Sequence, residues 1–184
     1  ERIDDEQSQK QLYEEFIELC LIADKSGFKT IWTGEHHGMN FTIAPNPFIN
    51  LADLARRTKN VRLGTATIVA PFWHPIKLAE EAAMTDIISD GRLDRGIARG
   101  AYYFEYDRLA DGIDAFSAGG AMREIVPAIK ALWQGDYVGE SEHWSFPKTT
   151  SSPKPQQEPH PPIWIAARDQ SSHDFALEQG CNVQ

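Results

Sequence analysis

The sequence predicts an α/β protein built on a parallel sheet. Short apolar strands alternate with amphipathic helices along the whole chain. One strand, Val61 to Ala70 (VRLGTATIVA), is apolar almost throughout, as a strand covered on both faces must be. Another, Thr30 to Thr33, runs straight into Glu35-His36-His37-Gly38. Titratable residues at the carboxyl end of a strand stand where parallel folds place their ligands and chemistry. The count is four strands and the start of a fifth. A doubly wound sheet fits it, whereas a (β/α)8 barrel takes about 250 residues, more than the 184 present.

The elements follow in order. Residues 8 to 26 read as a helix, with Leu12, Phe16, Leu19 and Ala23 at 3.6 spacing and Gly27 ending it. The polar stretch Glu1 to Gln7 shows no strand ahead of it. After the Thr30 strand, the loop from Gly38 to Pro47 is broken by asparagines and prolines. A second helix spans Phe48 to Thr58, with Phe48, Leu51, Ala52 and Ala55 on one face. Pro75 opens a third, running to Ile88. Asp90-Gly91 is a turn, and Leu93 to Gly100 the next strand. Ala101 to Gly120 reads as a polar, aromatic loop, and Ala121 to Trp133 as a helix that Pro127 should kink or split. Residues 135 to 162 form a lid-like excursion, with a hairpin over Tyr137 to Phe146 and an extended Pro-rich tail. Ile163 to Ala167 is a strand, Ser171 or Ser172 caps a helix ending at Gly180, and Asn182-Val183-Gln184 begins another strand.

Composition narrows the partners. A net charge of −9 leaves no large basic face for nucleic acid or anionic lipid. No apolar run approaches the roughly 20 residues of a membrane span, and Glu1 to Gln11 is too charged for a signal peptide. Cys20 and Cys181 lie far apart with no metal spacing, and Cys20 falls on a helix's apolar face as a core residue. These features suggest the cytoplasm.

Several segments, in order and in register, carry a resemblance: Gly27-Phe28 with Ile31-Trp32 and Glu35-His36-His37; Ala44-Pro45-Asn46-Pro47; Leu54 to Thr58; Val61 to Thr65; Pro71 with His74-Pro75; Ala79-Glu80; Asp86; Gly91-Arg92-Leu93; Gly96 to Gly100; and Pro161 to Trp164. From Leu12 to Gly180 the chain resembles the bacterial luciferase-like flavin-dependent monooxygenases. The resemblance implies a (β/α)8 TIM barrel rather than a doubly wound sheet, and a single barrel domain of about twice this length. The 184 residues would supply strands two to five and the edge of six, and the remaining strands would lie in further chain. It also implies reduced FMN supplied by a separate reductase, O2, a small apolar substrate oxidised through a C4a-peroxyflavin, and a homodimer. A deazaflavin-dependent dehydrogenase and a non-catalytic flavin-binding member share the fold and remain as alternatives.

The candidate site residues each have a second reading. In Glu35-His36-His37, histidine titrates near neutrality and can shuttle a proton; the resemblance places His36 over the flavin. The plain alternative is a hydrogen-bonded loop cluster. A metal site, or a metal-dependent barrel hydrolase using Glu35 and His37, is the weaker chemistry, because adjacent strand residues point to opposite sides and no third histidine or cysteine ligand recurs nearby. Small residues at Gly64 to Thr67 let a flat ring approach the backbone, and the resemblance implies a non-proline cis peptide at Ala66-Thr67 under the isoalloxazine. Otherwise they are an ordinary strand end. Arg99, at the end of a strand, suits a phosphate or a structural ion pair; the family uses this arginine for the flavin phosphate. Ala98 stands where luciferase itself has cysteine, which argues against light emission. Ser171 and Ser172 can hold phosphate at a helix N-terminus, cap the helix, or both, and Arg168 can add charge. Phe72, Trp73 and Tyr102 are candidates to wall a substrate pocket. His74 reads as a capping residue, and His143, His160 and His173 as surface residues.

Overall fold

The computed structural model describes residues 8–40, 42–110 and 112–184. The polar stretch 1–7, in which the sequence shows no strand, lies outside them.

Five parallel strands form one sheet: β1 (Thr30–Thr33), β2 (Arg62–Val69), β3 (Leu93–Ala98), β6 (Ile163–Ile165) and β7 (Asn182–Val183). Between β3 and β6 lies a separate antiparallel hairpin, β4 (Tyr137–Glu140) with β5 (Ser145–Thr149). The order in the large sheet is β1-β2-β3-β6-β7, so each strand is added beside the one before it. A doubly wound sheet needs a point where the order reverses; this order has none, and winding in one sense is what curves a sheet toward a barrel. The five strands are an arc and not a closed barrel.

Among the described residues six α-helices accompany the strands: α1 (Gln9–Lys25), α2 (Pro47–Arg57), α3 (Pro75–Ile88), α4 (Tyr103–Leu109), α5 (Ala118–Gln134) and α6 (Gln170–Glu178). The core lies between sheet and helices. Leu63, Leu93, Ile97, Ile163 and Ile165 meet Leu51 and Leu54 of α2, Leu78 and Ala82 of α3, and Ile125, Ile129 and Leu132 of α5. Each of these is at most 2% exposed, and a fully buried aliphatic side chain contributes about 1.5–3 kcal/mol by burial. The opposite face of the sheet carries Trp32 and Trp164, whose rings meet edge to face at 5.5 Å. Gly64 makes room for them, since a Cβ there would fall 2.2 Å from the Trp32 ring.

Four sequence expectations are corrected. The α1 face is rotated: Ile17, Cys20 and Asp24 are buried, while Leu19 is 67% exposed. Asp24 is drawn inward because its carboxylate accepts from the N–H groups of Asn60 and Val61 at 2.8 and 2.9 Å. The 101–120 segment is not all loop. It contains α4, whose buried Tyr106 packs with Ala110 and Ala118 in a small satellite cluster, too few apolar positions to show a period. Pro127 sits inside an unbroken α5. It is solvent-exposed, so the carbonyl it deprives of a donor can turn to water. The 135–162 segment does contain the hairpin, but its tail descends away from the strand ends. The backbone N–H groups of Gln156 and Gln157 donate to Asp86 Oδ2 at 2.8 and 2.9 Å, and Arg62 Nη2 donates to Gln157 Oε1 at 3.1 Å at the amino-terminal rim.

Candidate active site

Glu35 is the pivot of the strand-end cluster. It follows β1, is only 2% exposed, and points inward. Its carboxylate accepts from the Val69 N–H at 2.8 Å, from Trp73 Nε1 at 2.9 Å to both oxygens, and from His37 Nε2 at 2.8 Å. A carboxylate only accepts, so Nε2 of His37 carries the proton. Glu35 thereby ties the ends of β1 and β2 together and holds the His37 ring edge-on to Phe72, at 5.6 Å.

The Glu35 hydrogen bond, outweighing desolvation, raises the His37 pKa above its ordinary value. A histidine raised on folding stabilises the fold fully below its unfolded pKa, about 6.5, and loses that contribution as pH rises through the folded value. His37→Gln is therefore expected to cost about 1 kcal/mol more at pH 6 than at pH 9. Urea unfolding at the two pH values measures this, and an equal cost at both would contradict it.

A second buried acid completes the cluster. Glu105, on α4 and 1% exposed, accepts the His37 backbone N–H at 2.7 Å and lies 3.3 Å from His36 Nδ1. The His36 N–H donates to the Ala44 carbonyl at 3.1 Å, and its ring stands 5.5 Å from Tyr102. α4 is itself anchored. The Tyr106 hydroxyl donates to the Arg99 carbonyl, and burial pushes its pKa up to about 12. Gly100, with φ +96, allows this contact, because a Cβ there would lie 2.6 Å from the Tyr106 hydroxyl oxygen.

Next to this cluster β2 is irregular. Its register with β3 shifts between Thr65 and Ile68, and the Ala66–Thr67 peptide within the shift is cis, as the resemblance implies. Ala66 is exposed there. It lines an open cavity of about 980 Å3 together with Trp32, Trp164, Ala166 and Arg168.

The third part lies between β6 and α6. Asp169, not a serine, caps α6, and its side chain accepts the Ser172 N–H at 2.8 Å. A carboxylate at this position meets the positive end of the helix. Ser171 is exposed, and its Oγ accepts from Arg123 Nη2 at 2.7 Å. Arg123 comes from α5 and also lies over the Phe175 ring at 5.6 Å. The Ser172 backbone and side-chain hydrogen bonds hold Asp169 below the usual carboxylate range, with smaller contributions from Arg99 and Arg123. Two arginines thus share this turn.

The structure brings Glu35, His36 and His37 together and sets Arg99 near the Asp169–Ser172 turn. It separates others. Trp73 is buried under Glu35 with its ring edge-on to Phe48, so it positions Glu35 instead of walling an open pocket. Arg168 turns to the cavity. His173 is exposed and His160 half-buried, whereas the His143 side chain is only 8% exposed, which corrects its assignment to the surface. His74 does cap α3, its Nδ1 accepting from the Ile76 N–H. Sequence reasoning missed Glu105, Arg123, Asp169 and the two cavity tryptophans. A single acid inside an aromatic run was the one signal for Glu105.

Comparison with known proteins shows the family and the fold. The family model for luciferase-like monooxygenases matches residues 1–183. The oxygenase component of the flavin-dependent trigonelline monooxygenase of Acinetobacter baylyi is 70% identical over 184 residues, which are 100% of this chain and 51% of that protein. Among solved structures, monooxygenase RslO1 from Streptomyces bottropensis superposes with a TM-score of 0.90 at 36% identity, covering 97% of this chain and 54% of that one. The FMN complex of the oxygenating constituent of 3,6-diketocamphane monooxygenase from Pseudomonas putida gives 0.85 at 22% identity, over 98% and 53%, a likeness of fold alone. The five-stranded arc is thus part of a luciferase-like TIM barrel. The chain spans about half the length of the curated relatives it matches.

Proposed function

This chain belongs to the luciferase-like monooxygenase family, and from that premise we propose that it forms the flavin-binding part of an oxygenase using reduced FMN and O2. The main support is the convergence, on the carboxyl ends of β1, β2, β3 and β6, of a histidine–glutamate cluster, an exposed bulge beside a cavity, and a serine turn with two arginines. These residues fit FMN. The cavity beside Ala66, walled by Trp32 and Trp164, suits a flat ring. Arg99, Arg123, Ser171 and the α6 N-terminus suit its phosphate. The bound flavin would supply the activation of oxygen.

The chain's own residues do the rest. Glu35 and Glu105 fix the two histidines from below. With Nδ1 held toward Glu105, the basic nitrogen of His36 is Nε2, which takes and returns a proton during oxygen transfer. One oxygen atom enters the substrate and the other leaves as water, with two electrons from the reduced flavin. The words "oxygenase component" in the relative's name support a separate reductase as the electron source.

For the substrate, 70% identity to the trigonelline enzyme supports the same molecule, a flat pyridinium cation bearing a carboxylate. This zwitterion departs from the small apolar substrate expected from the sequence, since it is aromatic but charged. Tyr102 and Phe104 stack at 5.4 Å beside His36, and Tyr102 is 42% exposed, a face suited to an aromatic cation. Photoreduced FMN, trigonelline and 18O2 are mixed with the protein and the product is weighed by mass spectrometry. Incorporation of one labelled oxygen atom per substrate is expected. Consumption of reduced flavin with trigonelline unchanged would contradict the substrate.

A further inference from the structure

The charge of the cavity beside Ala66 runs against that of the chain. The sequence carries a net charge of −9. Yet the charged residues lining this cavity are Lys29 and Arg168, and no acid lines it among the described residues. Neither of the two cationic side chains makes a hydrogen bond or an ion pair among the described residues. The rest of the lining is largely apolar, with Trp32, Ala66, Trp164 and Ala166. A cleft with charges of one sign and low-dielectric walls concentrates its field on whatever enters. This one favours a flat occupant that carries negative charge on its ring.

The two cations stand at opposite ends of the sheet. Lys29 precedes β1, at the amino-terminal rim, and Arg168 follows β6, one residue before the α6 cap Asp169. At the candidate phosphate turn, the arginines that act on Asp169 are Arg99 and Arg123. Arg168, although next in sequence, lines the cavity instead.

Reduced FMN brings two separate negative charges. One is the phosphate. The other, which oxidised FMN lacks, is spread over N1 and the C2 carbonyl of the ring. The ribityl tail leaves the ring at N10, one ring carbon away from N1. With the phosphate at the α6 turn, the tail leads from that turn to the N1 side of the ring. Arg168 lies between turn and cavity. A guanidinium stays charged at every working pH and favours the ionised form of a group beside it.

We propose that Arg168 selects the reduced state of the cofactor, its guanidinium pairing with the N1–C2 edge of the anionic ring. The proposal rests on the flavin reading above and deepens it. A chain that receives flavin already reduced, and must release it oxidised, gains from holding the reduced form more tightly. Arg99 and Arg123 hold the phosphate of both forms alike.

The test is a pair of anaerobic titrations of the protein, one with oxidised and one with reduced FMN, beside a dye-equilibrated measurement of the bound flavin's potential. Reduced FMN is expected to bind at least about tenfold more tightly, which for a two-electron couple lifts the bound potential about 30 mV above that of free FMN. Arg168→Gln should lose this margin and leave the affinity for oxidised FMN as it was. Arg168→Lys should keep part of the margin, and Lys29→Gln all of it. Arg168 is exposed, so its variants should melt like the parent. A parent without the margin would overturn the proposal, as would a margin that survives in Arg168→Gln. If that variant instead raises the KM for trigonelline, the arginine reads the substrate's carboxylate. Equal weakening of both redox forms in Arg168→Gln would also overturn it, by assigning Arg168 to the phosphate or the tail. Failure of the parent to bind either form would defeat the flavin reading itself, which sets that failure apart from the others.

Discussion

Glu35→Ala is expected to lower the unfolding free energy by about 3–5 kcal/mol, the largest stability effect of any single change at the site. The carboxylate is 2% exposed and receives three donors: the Val69 N–H, the Trp73 indole N–H and His37 Nε2. Removing it strands the first two in a buried site, and each unsatisfied buried donor costs about 1–3 kcal/mol. His37 loses the partner that raises its pKa. Glu35→Gln keeps one acceptor oxygen and the side-chain volume, so its cost should be smaller. Guanidinium unfolding of the two variants measures the difference. A loss below about 1 kcal/mol for alanine would mean that Glu35 does not join the ends of β1 and β2.

His36→Ala is expected to lower turnover by about 10²–10⁴-fold, the usual range for a positioned acid–base group, with flavin affinity nearly unchanged. The ring is only partly exposed and stands between Glu105 and Tyr102. It is held by the cluster without being part of the hydrophobic core, so its removal should spare the fold. The reaction is followed as substrate oxidised per reduced flavin consumed. A drop in coupling, with flavin still oxidised and substrate untouched, locates the loss at proton transfer. Normal turnover would remove His36 from that role.

These expectations rest partly on residues the sequence did not single out. The strand ending in Glu35-His36-His37 was legible because apolar run, polar cluster and glycine are contiguous, and α2 and α3 because their prolines and apolar faces are local signals. The resemblance supplied the cis peptide at Ala66–Thr67 and the barrel that the strand order of the arc agrees with. What escaped was long-range. Glu105 is 69 residues from His36, on a helix whose two buried positions fall below any detectable period. Arg123 reads as one more polar position on α5, and only the fold sets it 2.7 Å from Ser171. Serines next to a helix start looked like its cap, yet Asp169, with a stronger acceptor, takes that place. The aromatic pair Phe72-Trp73 shows the same limit. The two residues are adjacent, but Phe72 faces His37 while Trp73 is buried under Glu35.

The most direct test is the affinity for reduced FMN, measured anaerobically by flavin absorbance beside the same titration with reduced riboflavin, which lacks the phosphate. Arg99→Ala with Arg123→Ala should weaken FMN by at least about 1.5–3 kcal/mol, roughly 10–150-fold, the loss of a charge-assisted hydrogen bond, and leave riboflavin as it was. That outcome would place the phosphate at the α6 turn and the flavin ring against the β2 bulge. Unchanged FMN affinity, or an equal loss for both flavins, would contradict the assignment of this rim as the flavin site.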